Sequence, residues 1–282
     1  MLIGHRVGLA AAVMLPLLIS CAPDILVVPL RVCVVHGADF APTAVPLNQP
    51  AITTRAHEIV TAASRIWMDA ASIGFLPYPD VLVIEDPNPS TAARQHVGDI
   101  VQDLGIGRGS SQEATDVVEA CDAEWARGPS GKPPGLTLVF VRDFPSSGGG
   151  VNIDLLGFTP PPGTSQCTSP YAVDPAFVRA RWSIAKTHIT ASQTPAQWLA
   201  LVSHTTAHEL GHAMMLGHGN GKDANGDGRW GEECDPIEYE QYDVHDAEGA
   251  SNLMHPRSEW GTTLTALQRD LARAAAAQAI TQ

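Results

Sequence analysis

His208, Glu209 and His212 stand in the order His-Glu-Leu-Gly-His. Residues four apart lie on one face of a helix, so His208 and His212 can present two imidazoles to a single metal ion. Glu209 is turned from His208 by about 100 degrees, as the helical period dictates. It cannot easily ligate the same ion, but its carboxylate can reach a water held there. Zinc suits imidazole and lowers the pKa of a bound water to about 7. A carboxylate beside such a water can take its proton as the water attacks an amide carbonyl, then return the proton to the leaving amine. A catalytic zinc keeps three protein ligands and one open position. His218, six residues after His212 and directly after Gly217, is the natural third ligand. A His-Glu-x-x-His alone arises by chance fairly often; a further histidine at a fixed offset makes coincidence much rarer. His204 falls on the same face one turn before His208. It reads as a packed histidine, or as one that orients a ligand, and not as a ligand itself. His245 and His255 read as loop histidines.

The segment His208-Glu209-Leu210-Gly211-His212-Ala213-Met214-Met215-Leu216-Gly217-His218 resembles the extended zinc motif of the metzincins. One position departs. The family has Gly where this chain has Met215, and that glycine permits the sharp turn that brings the third histidine round. Either Gly217 takes over the turn or Met215 is strained in it. Downstream, Ser251-Asn252-Leu253-Met254-His255-Pro256 resembles the Met-turn of the same family, with Met254 as an apolar floor beneath the zinc. Some branches carry a metal-binding Tyr two residues after that Met. Pro256 stands there in this chain, so the likeness is to the matrixin- or pappalysin-like branches that lack it. The resemblance is sharp over roughly residues 194–275 and only architectural before them. It implies a zinc-dependent endopeptidase acting on a protein or peptide, with zinc on His208, His212 and His218 and Glu209 as base and then acid. It also implies an α+β zincin fold: a twisted mixed sheet, an active-site helix, a backing helix, and a small C-terminal part holding the Met-turn and a final helix. The substrate cleft would separate an upper part, about residues 25–217, from a lower part, about 218–282.

Asp223, Asn225 and Asp227 place oxygen ligands at alternate positions, with Gly228 at the sixth, the start of an EF-hand-like calcium loop. The acid expected at the twelfth position is Cys234; Glu232 or Glu233 could serve in a shortened loop. The plain alternative is a Gly/Asp/Asn turn. The glycine runs at 105–109 and 148–150 lack the strand-to-helix setting of a phosphate loop, and there is no G-x-S-x-G elbow.

Elements must carry these residues. Thr194 as N-cap and Pro195 at the first helical position open a long helix through Leu216. Thr53 to Ser72 repeats apolar residues at helical spacing, and Thr263 or Thr265 caps a last helix to about residue 279. Strands are expected at Pro29–Val35, Val81–Glu85 and Leu136–Val141, with a further one inside Val151–Phe158 and an edge strand over Arg181–Thr190. Residues 87–115 read as loop with one short helix, and 219–260 as acidic loop. Two large helices on a sheet give an α+β or α/β architecture.

The N-terminus, Met1 to Arg6, is short and basic. Val7 to Ile19 is apolar and about as long as a signal-peptide core, too short for a comfortable membrane span. Leu18-Ile19-Ser20-Cys21 resembles the bacterial lipobox, which implies removal of residues 1–20 and lipid on Cys21. Several acyl chains at one site give stable anchoring, so the expected location is the cell envelope, at the outer membrane or cell surface. Residues 21–282 then form a single catalytic domain, expected to act as a monomer. Cys33, Cys121, Cys167 and Cys234 remain, which in an exported chain allow two disulfides. The formal net charge of -13 argues against nucleic acid as partner. Three other readings fit part of the pattern. One is a lipid-anchored zinc-binding surface protein without turnover. Another is a gluzincin-type peptidase with Glu232, Glu233 or Glu238 as third ligand. The last is a structural lipoprotein whose motif is accidental.

Overall fold

A β-branched run just after the N-terminal segment forms the middle of a sheet. The computed structural model describes residues 24–35, 48–84, 120–127, 131–141, 157–158, 176–179, 194–214, 216, 251–255 and 261–281. In chain order these are β1 (Leu26–Val35), α1 (Gln49–Ala71), β2 (Ile73–Ile84), helical residues 120–126 as α2, β3 (Leu136–Val141), β4 (Gly157–Phe158), β5 (Ala176–Arg179), α3 (Pro195–Ala213) and α4 (Ala266–Ala279). The sheet order is β2-β1-β3-β5-β4. β2, β1, β3 and β5 run parallel, and β4 pairs antiparallel with β5. The architecture is therefore mixed α/β, with the parallel pairing that crossover helices such as α1 allow.

β1 and β3 read as nearly continuous apolar runs because both faces of a parallel sheet are covered. Val28, Leu30, Val32 and Val34 of β1 join Leu136, Leu138 and Phe140 of β3 in one apolar cluster. Ile59, Val60, Ala63 and Trp67 of α1 and Trp198, Val202 and Leu210 of α3 belong to it too. α4 adds Ala272, Ala275, Ala276 and Ala279, small side chains that let its backbone pack closely. Trp67 meets Phe75 edge to face, with ring centroids 6.2 Å apart.

Several elements differ from the sequence reading, each for a local reason. β1 continues back through Pro29 to Leu26. The Pro29 carbonyl points at Gly135, at φ 110, where a Cβ would come within 2.7 Å of the carbonyl carbon. The missing N–H lies on that same edge, and β3 pairing begins only at Leu30. No ladder bond is lost there. α1 begins at Gln49, not Thr53, because the Asn48 side chain accepts from Ala51 N–H and Pro50 sits in the first turn. β2 begins at Ile73 instead of Val81. Pro77 and Pro79 hide it in the sequence, yet it is an edge strand, where proline is tolerated. β4, Gly157–Phe158, falls at the end of the stretch expected at 151–158, whose residues 151–156 lie outside the described residues. β5 lies before the predicted edge strand and inside the sheet; residues 181–190 lie outside the described residues, as do 87–115. The α2 residues were not anticipated. Cys33 is a buried free thiol in β1, so two disulfides among the four cysteines do not form. Among the described residues no helix is long and apolar enough to cross a membrane.

The last turn of α1 has no basic residue of its own. Arg273 of α4 supplies the cation, donating to Ala71 O at 2.9 Å and to Asp24 O at 2.8 Å. One guanidinium thus ties the C-terminal helix to the end of α1 and the start of β1. Arg273→Ala should cost about 2 kcal/mol, measured as a fall in the denaturant midpoint. Arg273→Lys should recover less than half of it, since one ammonium cannot span the same carbonyls.

Candidate metal centre

Thr194 and Gln197 close a capping box at the start of α3, each side chain accepting from the other's backbone N–H. From Leu201 to Ala213 every residue except the part-buried His208 is buried. Most of the polar residues this brings inside find partners, though the Ser203 hydroxyl has none among the described residues. Thr205 and Thr206 donate to the carbonyls one turn back, Leu201 and Val202. Trp67 Nε1 donates to Ala207 O at 2.9 Å, fixing α3 against α1 one residue before the motif.

His208 and His212 come together as the four-residue spacing requires. Their Nε2 atoms are 3.1 Å apart, with the rings edge to face at 85°. Each Nδ1 lies on a backbone carbonyl: His208 on Leu253 O at 2.8 Å and His212 on Leu216 O at 2.7 Å. A carbonyl only accepts, so both Nδ1 atoms carry the proton. Burial first, and the neighbouring His212 second, push the His208 imidazole down to about 3, so it stays neutral even though the residue is only part-buried overall. In a neutral ring whose Nδ1 carries the proton, Nε2 bears a lone pair, and the two Nε2 atoms stand at 3.1 Å.

The end of α3 makes this possible. The helix stops at Ala213, three residues short of the expected Leu216. Leu216 N–H donates to Gly211 O at 3.0 Å, the six-to-one bond of a Schellman-type ending. The chain therefore reverses before Gly217, and the same reversal brings Leu216 O to His212. Met215, at the position of the motif glycine, lies outside the described residues.

Residues 251–255 approach from below. Asn252 organises them: its Oδ1 accepts from Met254 N–H at 2.9 Å and its Nδ2 donates to Gln268 Oε1 at 2.8 Å. Gln268 is also the capping-box residue of α4, whose N-cap is Thr265. Met254 packs onto Gly211, the glycine inside the motif, where a Cβ would lie 2.9 Å from Met254 Cε and closer still to its sulfur. His255 is buried near His208, close enough to contribute to lowering its basicity. His204 is buried with Nε2 2.6 Å from Gly261 O. Glu209 is also buried, and its side chain lies against Gly157 of β4.

Among the predicted site residues, the structure brings His208 and His212 together, packs Met254 on Gly211 of the motif, and sets Glu209 against Gly157 of β4. Cys21, His218, Asp223, Asn225, Asp227, Glu232 and Glu233 lie outside the described residues. Among the described residues no three metal-ligating side chains converge. Sequence reasoning missed Asn252, Gln268 and Gly157. The Thr265–Gln268 capping box was a readable signal for Gln268, whereas Gly157 had none. No protein-family model matches the chain, and no curated protein matches it in sequence.

Gly211→Ala should overpack this contact and cost about 1–3 kcal/mol in the metal-free chain. Shortening its neighbour as well, in Gly211→Ala/Met254→Ala, should cost less than the two single changes added together, read by chemical denaturation.

Proposed function

We propose that the chain is a zinc-dependent endopeptidase of metzincin-like construction, exported and held at a bacterial cell envelope by lipid on Cys21. The observation that carries this reading is the approach of the His208 and His212 Nε2 atoms to 3.1 Å while each Nδ1 lies on a backbone carbonyl. Facing lone pairs repel unless a cation lies between them. Two nitrogens about 2.0–2.1 Å from one tetrahedral zinc are about 3.3 Å apart, so the pair fits that ion. His208 and His212 would hold it, with His218 as third ligand. Bound there, zinc supplies a Lewis acid that acidifies water and polarises a carbonyl.

The chain's own residues do the rest. Glu209 takes the proton of the attacking water and returns it to the leaving amine. Leu253 O and Leu216 O keep both imidazoles in the tautomer that directs Nε2 to the metal. β4 ends the described sheet order on the side of Glu209, so an extended peptide would add there. The mixed sheet, α1 behind α3, and the turn at 251–255 under the motif are the elements that the metzincin resemblance implies. Ile25, Val27 and Leu76 are exposed at the end of the sheet nearest Cys21 in sequence, which suits a chain tethered at a membrane. Calcium on Asp223, Asn225, Asp227 and Glu232 or Glu233 belongs to the same proposal.

The test pairs zinc content with cleavage of denatured casein. The parent should hold one zinc and cleave. Glu209→Ala should keep the zinc and lose roughly 10²- to 10⁴-fold in rate. His208→Ala should lose the metal. Full zinc in His208→Ala would refute the ligand assignment, and zinc without cleavage in both parent and Glu209→Ala would favour a binding protein.

A further inference from the structure

Gly157 opens β4, opposite Val178 of β5. Its backbone lies outside the left-handed region, so its conformation does not require glycine. Its surroundings do. A Cβ built at Gly157 comes 2.5 Å from Glu209 Cγ and 2.6 Å from Cδ, and closer still to Oε1, far inside the range that real Cβ atoms tolerate. Glu209 has little room to yield: it is 5% exposed, on a helix buried along most of its length. The carboxylate therefore lies in a slot that exists because residue 157 has no side chain.

We infer that Gly157 is a positioning residue: the gap it leaves in β4 sets where the Glu209 carboxylate sits. The inference rests on the reading of Glu209 as general base for its kinetic consequence, but not for the slot itself. A methyl at 157 would push the carboxylate away from the reacting water while leaving the imidazole pair, on the adjoining face of α3, in place. A general base displaced by about 1 Å costs on the order of 10²-fold in rate.

The experiment uses the full chain in four forms: parent, Gly157→Ala, Glu209→Ala and Gly157→Ala/Glu209→Ala. In the zinc-loaded chain, Gly157→Ala should keep its metal and lower kcat on a peptide by about 10²-fold with KM changed no more than a few-fold. In the metal-free chain, Gly157→Ala should lower the denaturant midpoint when residue 209 is Glu and leave it nearly unchanged when residue 209 is Ala. Parental kcat in Gly157→Ala, or an equal stability loss in both backgrounds, overturns the inference. Should Gly157→Ala fail to fold, the double variant decides: folded supports the slot, unfolded overturns it. A parent that cleaves nothing would remove the base assignment alone, and the stability comparison would still decide the role of Gly157.

Discussion

Two imidazoles held with their Nε2 atoms 3.1 Å apart organise this molecule. His208 and His212 cannot turn their Nε2 atoms elsewhere, because each Nδ1–H is tied to a carbonyl, Leu253 O for one and Leu216 O for the other. Those carbonyls come from opposite directions. Leu216 O is delivered by the end of α3 itself, where the Leu216–Gly211 bond folds the chain back. Leu253 O is delivered by a turn far along the chain, held by Asn252 and, through Gln268, by the cap of α4. The pairing of the imidazoles thus depends on two chain reversals meeting at one helix. On the proposed zinc reading, this arrangement is half of the metal site.

The surrounding fold serves to hold α3 still. Trp67 fixes it from α1 by a hydrogen bond to Ala207 O, and the apolar cluster joins both helices to β1 and β3. Glycines set two close approaches to α3. Gly211 admits Met254 from one side and Gly157 admits Glu209 from another. Each removes a side chain where two elements must touch, so the motif helix is gripped between the turn and the sheet edge without strain in its own backbone.

Much of this was legible in the residues. The His-Glu-x-x-His spacing is a helical one, and Thr194-Pro195 and Thr265 marked where helices start because capping chemistry is local. The apolar strands β1 and β3 announced themselves by composition. What was hidden depends on long-range context. Pro77 and Pro79 argue against a strand unless it is known to lie at an edge, which only the assembled sheet reveals. The run Ala213-Met214-Met215-Leu216 carries no stop signal, so periodicity ran past the true end at Ala213; the stop is a backbone bond. Cys33 looked like half of a disulfide, yet it is a buried thiol used in packing. Gly157 could not be separated from other loop glycines, since its meaning is the carboxylate opposite it.

The most direct test is nitrogen-detected NMR of the histidine rings as zinc is added to the chelated chain. The account predicts that the Nε2 resonances of His208 and His212, with His218 as the third ring, shift on binding. The Nδ1 protons of His208 and His212 should remain bonded to their carbonyls and exchange slowly. Zinc-induced shifts at Nδ1 of either ring, or none at Nε2 of His208 and His212, would contradict it.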